Sequence, residues 1–584
     1  MIATEKKYIR LRVFIVGFFF SLLFVIIGAR AVYLQVFCES WLSQEAAKQY
    51  EKSFISQGKR GTIYDTHHRE MAVSIDVTSI AARPARITDV QLTSDALAKA
   101  LNLDRIIIKR KLASEKPFLW IKRKVTPKET KMVKDLNLSG IDFIPEHSRF
   151  YPNRTLAAQL LGFSGIDGHG MEGIEFYYDT YLQGANVKFK VLKDAFGREF
   201  AEENGIGTIE PGLDGRGNNL ILTIDRTIQF ITEEALAEAV KRFSAKSGTA
   251  IVIAPKSGAI LALAQFPFFN PNTYNDFEKE LWRIRAVTDQ FEPGSTMKIF
   301  CAATAIESGI CKPNTIFFCE NGAYKIGRNV IHDVHSYGWL SLEEIVKFSS
   351  NIGAVKVSKM IGPEIFYKSL RGFGFGSKTG VDCPGEMAGS LALYKKWSEI
   401  DAGAISFGQG ISVSALQLIT AASAIANGGI LMKPYLVQAI TDQQGRLIQN
   451  FGPQKIRRVI SAETARTVVT MMRAAVNQGG TGINASLEGY SVCGKTGTAQ
   501  KVDAKGGYAR DKYIGSFIGF APAEKPEAVI LVIIDEPQGG HYGGVVAAPA
   551  FRKIAHETLD YMNIPPKVNK SDRLIVLRVN EAHG

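Results

Sequence analysis

The run VFIVGFFFSLLFVIIGA, from Val13 to Ala29, carries no charge and limits what the chain can fold into more than any other segment. A helix rises about 1.5 Å per residue, so about 20 residues cross a hydrocarbon core of roughly 30 Å. With AVYLQVF continuing beyond Arg30, the run spans that core if the arginine snorkels to the far surface. Lys6, Lys7, Arg10 and Arg12 precede it and little excess charge follows, which favours a cytoplasmic N-terminus and an exported body. Ala29-Arg30-Ala31 also resembles a signal-peptide cleavage site, but the run exceeds a usual signal core and the arginine is awkward there. The expectation is a cytoplasmic segment 1–12, an uncleaved single-pass anchor over 13–36, and an extracytoplasmic body.

The chain of 584 residues is 46% hydrophobic, enough for full cores in two or three domains. Its net charge of +13 is spread along the chain with no dense basic block after the N-terminus, which argues against a nucleic-acid partner. Six cysteines make no disulfide framework and no zinc-ligand pattern, so no metal is expected. Cys311 and Cys319 either pair, if the domain is exported, or stand as small buried hydrophobes.

From Val36 to Gly217 the chain is mixed, with many charges and short apolar segments; at Asn219 its texture changes. LILTID (220–225) reads as a strand, 226–243 as a helix, and 248–266 as two strands around a turn at Pro255–Gly258. Residues 513–537 read as a second hairpin and Ala548–Met562 as a helix. Strands at both ends of a long helical middle predict an α/β domain whose terminal segments share one sheet. A short polar tail follows from Pro565.

GYSVCGKT (489–496) satisfies the pattern of a phosphate-binding loop. Such a loop needs a buried strand before it and a helix after it, whose N-terminal N–H groups face the phosphates. INASLE precedes and GTAQKVDAKGGYARDKY follows, and neither fits. The apolar residues lie inside the supposed loop, so the segment reads as a strand running into Lys495-Thr496-Gly497-Thr498, and no nucleotide is expected. A second K-T-G, at Lys378–Gly380 within GFGFGSKTGVD, reads as a turn-rich connection.

In EPGSTMKIF (292–300), Ser295 and Lys298 lie three apart where a helix begins, on one face. A lysine amine whose pKa is lowered by desolvation can accept a serine proton, and the free N–H groups of the helix start can polarise a carbonyl. Alone the pair is weak, and a helix cap is the plainer reading of Ser295. SLEEIVKFSSNIGAVKV (341–357) is a helical pattern carrying Ser349-Ser350-Asn351, where a hydroxyl and an amide two apart at a loop or helix junction can face one cleft. There Ser349 could relay a proton to a leaving amine and Asn351 could hold a substrate amide. Lys495 would then bind a carboxylate or neutralise the Ser349 region, with Thr496 or Thr498 holding the carboxylate. The Thr498 N–H could join that of Ser295 in an oxyanion hole. A coupled Lys298–Ser349–Lys495 network leaves the resting place of the proton open. His332 and His335 are alternative bases, with a polar loop their plainer role.

These three motifs, S-x-x-K, S-x-N and K-[ST]-G in this order, resemble the serine acyltransferases that bind penicillin. RGTIYD (60–65), RFYPNRTLAAQLLGF (149–163) and GMEGIEFYYDTYLQG (170–184) resemble the non-catalytic module of class B, monofunctional penicillin-binding proteins. RAVTDQFEPGSTMK (285–298), FGQGISVSALQL (407–418) and IANGG (425–429) resemble their transpeptidase domain, and GGYARDKYIGSFIGFAPAEKPEAVILVIIDEP with HYGG (541–544) is most like the division-specific, FtsI-type branch. The middle motif departs from the S-D-N form by carrying Ser350 at its centre.

The resemblance implies a helical subdomain plus an antiparallel sheet covered by helices over 218–564. Before it would stand an elongated mixed α+β pedestal or dimerisation module over 37–217, and after it the tail 565–584. It implies a D,D-transpeptidase making 4→3 cross-links during septal wall synthesis, with Ser295, Lys298, Ser349, Asn351 and Lys495 catalytic and Thr496, Gly497 and Thr498 binding substrate. Implied partners are peptidoglycan stem peptides and lipid-linked precursor-derived glycan, beta-lactams, a SEDS-type glycosyltransferase, divisome membrane proteins and the membrane; no cofactor is implied. Elongation-type and sporulation-type relatives, a beta-lactam sensor, a serine β-lactamase and a catalytically silent scaffold are the alternatives. A class A β-lactamase would add an E-x-x-L-N segment, and none stands between Asn351 and Lys495.

Overall fold

A computed structural model of the protein describes residues 2–39, 41, 51–193, 199–200, 215–503 and 506–567. The expected polar tail lies outside the described residues from 568 onward. By its contacts the chain divides into two compact units, Met1–Gly58 with Ala185–Gly215, and Lys59–Gly184 with Arg216–Gly584.

In the first unit, helix α1 (Ile2–Val32) continues into a π-helical turn, Tyr33–Phe37. Its apolar stretch Leu11–Phe37 is long enough to cross a membrane, and its side chains are open to the surroundings all round. That is the pattern of a helix whose solvent is lipid. The Arg30 guanidinium lies 5.4 Å from the centre of the Tyr33 ring, at the end expected to meet the interface. Strands Glu51–Gly58, Gly184–Lys193 and Glu199–Phe200 form a small sheet in the same unit.

The second unit begins with β1 (Glu70–Ala82), paired antiparallel to both β2 (Leu119–Val125) and β3 (Ile141–Phe150). Ile80, Ile121 and Val125 from these strands pack with Leu97, Leu101, Ile108 and Leu112 from the covering helices. The short strand Ile63–Tyr64 pairs antiparallel with β1 and parallel with β4 (Asn219–Leu222), which in turn pairs with Val437–Thr441. The regions read as 37–217 and 218–564 thus share a seven-stranded sheet.

Glu175 is fully buried, with Arg60 Nε 2.6 Å from one carboxylate oxygen and Arg149 Nε 2.5 Å from the other. Burial alone would push this carboxyl up, but the two guanidiniums overcome it and hold it below its usual range. The segments RGTIYD, RFYPN and GMEGIEF, distant in sequence, therefore meet at one carboxylate.

After α2 (Arg226–Arg242), strands β5 (Ser247–Ile253) and β6 (Ile260–Phe266) form the expected hairpin. The helical middle includes α3 (Lys298–Glu307), α4 (Leu342–Phe348), α5 (Asn351–Ile361) and α6 (Ala415–Ala426). The chain then returns through β7 (Cys493–Val502), β8 (Tyr508–Ala521), β9 (Ala528–Asp535) and α7 (Ala548–Tyr561). The five strands make one antiparallel sheet in the order β6-β5-β9-β8-β7, so both ends of the domain do share it.

Val252, Ile530 and Val532 face Leu236 and Val240 of α2 and Phe551 of α7. Ile251, Ile253 and Leu531 face the core that contains Leu416 and Ile419 of α6. Helices on both faces explain why β9, AVILVIID, is apolar without alternation and buried throughout. Cys311 and Cys319 do not pair: both are free and buried, with the Cys319 thiol directed at the Phe317 carbonyl and the Ser350 hydroxyl.

Removing the Glu175 carboxylate leaves two guanidiniums without their shared partner. Glu175→Ala should lower stability by roughly 3–5 kcal/mol, measured as a fall in the thermal unfolding midpoint of the detergent-solubilised chain.

Candidate active site

Ser295 lies in a single 3-10 turn, Gly294–Met297, that leads directly into α3. Lys298, the first residue of α3, is 1% exposed, whereas Ser295 is half-buried. The Lys298 Nζ is 2.8 Å from Ser295 Oγ, 2.7 Å from the Ser349 carbonyl, 3.1 Å from Ser349 Oγ and 2.7 Å from Asn351 Oδ1. An ammonium has three protons for these four oxygens, whereas a neutral amine offers two protons and a lone pair that can accept from a hydroxyl. Burial, and then the charge of Lys495, hold the Lys298 pKa well below its usual value, against an opposing pull from Asp333.

The second motif falls at a helix junction, as its pattern allowed. Ser349 takes a left-handed conformation (φ 63°) that ends α4 and turns its carbonyl to Lys298. Ser350 then caps α5, its Oγ accepting from the Gly353 N–H at 2.9 Å and donating to Asp333 Oδ2 at 2.6 Å. The other Asp333 oxygen accepts the first N–H groups of α5, from Asn351 and Ile352. Asp333 had escaped notice between the two histidines of IHDVHSYG. Its only sequence signal is that a helix starting one residue after another ends needs acceptors for its orphan N–H groups.

His332 and His335 are exposed. His332 contributes only its backbone carbonyl, which accepts from Asn351 Nδ2 at 2.9 Å. Asn351 thereby orients Lys298 through Oδ1 and is itself held at Nδ2, with its second N–H and the other Oδ1 lone pair remaining for a substrate amide.

Strand β7 is an edge strand, and the Ser295 turn packs against it. Contact this close requires glycine. A Cβ on Gly497 would come within 2.3 Å of Ser516 Oγ and 2.9 Å of Thr296 Cγ2, and one on Gly408, of FGQG, within 2.1 Å of the Gly294 carbonyl. Lys495 is fully buried in this strand, its Nζ 3.3 Å from both the carbonyl and the hydroxyl of Thr496. Burial lowers its pKa to about 7. Among the described residues no carboxylate lies within ion-pair distance of it.

Thr496 Oγ1 is 3.1 Å from the Thr481 hydroxyl, a neighbour that sequence reading missed. Thr498 Oγ1 accepts from the Gly543 N–H of HYGG at 3.2 Å. The strand begins at Cys493, later than the apolar pattern suggested, and Gly489 lies in a turn at φ 76°. No helix follows Thr496, and the second K-T-G lies in a turn where Thr379 donates to Glu386.

A hydroxyl held by a buried amine, a second buried amine without a counter-ion, and the open edge of a strand suit attack on a carbonyl compound that carries a carboxylate. The comparisons place the chain among the transpeptidases. Residues 248–556 match the penicillin binding protein transpeptidase domain and 55–220 the penicillin-binding protein dimerisation domain, so the chain belongs to the class B penicillin-binding proteins.

It is 34% identical over 550 residues to the probable peptidoglycan D,D-transpeptidase PenA of Neisseria meningitidis, covering 94% of this chain and 92% of that one. It is 33% identical over 563 residues to the peptidoglycan D,D-transpeptidase FtsI of Escherichia coli K12, covering 95% and 92%. The crystal structure of penicillin binding protein 3 from Mycobacterium tuberculosis complexed with aztreonam is 28% identical, with a TM-score of 0.68 over 88% of this chain and 98% of that one.

Stability rises with pH wherever the unfolded chain binds more protons. Between about 7 and 10.5 an unfolded Lys495 is protonated and the folded one is not. Wild type should therefore gain stability over Lys495→Met as pH rises through that window in paired denaturant titrations; a constant gap would show that the amine stays charged. Asp333→Ala, which strips α5 of its acceptors, should cost about 1–3 kcal/mol in the same assay.

Proposed function

We propose that the chain is a peptidoglycan D,D-transpeptidase working through a serine acyl-enzyme. Ser295 Oγ attacks the penultimate D-Ala carbonyl of a stem peptide as its proton passes to Lys298 Nζ. Ser349, 3.1 Å from that amine, relays a proton to the departing nitrogen, so that the C–N bond breaks and D-Ala leaves as a neutral amine. An amine of a neighbouring stem then attacks the ester, loses a proton to the same network and restores the Ser295 hydroxyl, leaving the 4→3 cross-link. The N–H groups of Ser295 and Thr498 serve the oxyanion. Lys495, with Thr496, Gly497 and Thr498, receives the terminal carboxylate. Asn351 holds Lys298 in line. Every proton is carried by a side chain of this site.

The observation that carries this reading is the 2.8 Å contact between Ser295 Oγ and a buried amine that, among the described residues, forms no ion pair with a carboxylate. Beta-lactams present a strained carbonyl beside a carboxylate and enter the same path, but lack a leaving group that departs, so their acyl-enzyme persists. Similarity to FtsI-type relatives supports a septal role in cell division. The basic residues before the apolar helix support a cytoplasmic N-terminus over 1–12, an anchor over 13–36 and an extracytoplasmic catalytic domain over 218–564. The anchor and the 37–217 module are the surfaces offered to a SEDS-type glycosyltransferase and divisome proteins.

Intact-mass spectrometry after exposure to benzylpenicillin should show one covalent adduct that is lost in Ser295→Ala. Lys298→Ala should slow its formation by roughly 10²–10⁴-fold. Rapid release of hydrolysed drug would identify a β-lactamase, and absence of any adduct a silent scaffold. The acylation rate should rise with pH through a value well below the 10.5 of an ordinary lysine, because only the neutral amine accepts the serine proton.

A further inference from the structure

Beside the site, two short strands, Ile316–Phe318 and Trp339–Ser341, pair antiparallel with Phe317 opposite Leu340 and Phe318 opposite Trp339. Alternation sends Phe317 and Leu340 into the core, each 6% exposed. It leaves the other face open, with Trp339 at 70% exposure and Ile316 at 61%. An indole this exposed is unusual, because tryptophan is buried on average and an open apolar face marks a binding surface.

The face is held firmly from its margin. The Trp339 and Phe318 rings are 5.1 Å apart at 45°. Lys356 Nζ lies 5.7 Å from the centre of the Phe318 ring and is fixed by the Phe318 carbonyl at 2.6 Å and Glu320 at 2.5 Å. A rigid aromatic surface is thus edged by an amine and a carboxylate.

The same ribbon leads into the catalytic cluster. Ser341 caps α4, and α4 ends at Ser349 after seven residues, about 10 Å of helix. A four-residue stem, extended, spans about 14 Å. The ribbon's Ser341 and the motif's Ser349 are thus separated by a helix shorter than an extended stem, which sets the scale on which a glycan whose stem reaches Ser295 meets the ribbon.

We propose that the Phe318–Trp339 face binds the sugar backbone of the peptidoglycan strand whose stem is engaged at Ser295, a proposal that rests on the transpeptidase reading. Pyranose rings present flat C–H faces that stack on an aromatic surface, while their hydroxyls meet polar groups at its edge. Lys356 and Glu320 supply a donor and an acceptor there.

The test uses the full chain in detergent and peptide-free glycan strands as the probe. Wild type should be retained on the strands, Trp339→Ala should bind them about tenfold more weakly, the loss of one stacking contact, and Trp339→Phe should keep most of the binding. Benzylpenicillin, which carries no glycan, should acylate Ser295 at the same rate in all three. Equal retention of Trp339→Ala and wild type overturns the proposal, as does absence of retention by wild type. A Trp339→Ala variant that loses a protein partner while retaining glycan also overturns it, and assigns the face to that partner. If acylation falls together with retention, the substitution has disturbed the fold and the platform is rejected. Failure of wild type to be acylated at all counts against the transpeptidase reading instead, and is read from the drug arm alone.

Discussion

The site depends on a buried amine that, among the described residues, has no carboxylate within ion-pair distance. Lys298 Nζ is surrounded by a serine hydroxyl, a backbone carbonyl, a second serine hydroxyl and a side-chain amide. Those oxygens come from two helix starts and the break between them, so the amine fastens α3 to the α4–α5 junction. Neutral oxygens satisfy its protons without compensating a full charge, and Lys495, equally buried, adds repulsion. Both effects favour the neutral amine, the form able to take the proton of Ser295. One arrangement therefore anchors the local fold and prepares the chemistry.

That arrangement holds only because backbone segments approach one another closely. Gly408 lies against Gly294, Gly497 against Ser516 and Thr296, and Gly543 against the Ser516 and Gly497 carbonyls. The edge of β7 can then lie along the serine turn. The rest of the sheet, β6-β5-β9-β8, fixes that edge from behind through a core covered on both faces. In the N-terminal part of the same compact unit, Glu175 gathers Arg60 and Arg149, and the shared sheet through β4 runs from there into the catalytic half.

Much of this was legible before any coordinates. Apolar runs placed the long N-terminal helix, both terminal hairpins and the last helix, because burial on two faces leaves a strand no polar positions to obscure it. The neighbours of GYSVCGKT were enough to reject a phosphate loop. A loop or helix junction at Ser349–Asn351 was legible, but not its form, since the helical apolar period of 341–357 does not record a left-handed residue whose carbonyl meets Lys298. Asp333, Thr481 and the engagement of both amide atoms of Asn351 were equally hidden, because each is a contact between segments whose separation in sequence carries no period.

By itself the sequence determined the membrane run, the α/β character, the three motifs and their order, all of which follow from local apolar patterning and from residue types that chemistry requires. Only the tertiary structure decided that Lys298, and not a histidine, faces Ser295, that Asp333 organises the second motif, and that Lys495 is buried without a carboxylate. An amine's protonation depends on what surrounds it in three dimensions, and no local pattern records which distant oxygens the fold brings to it.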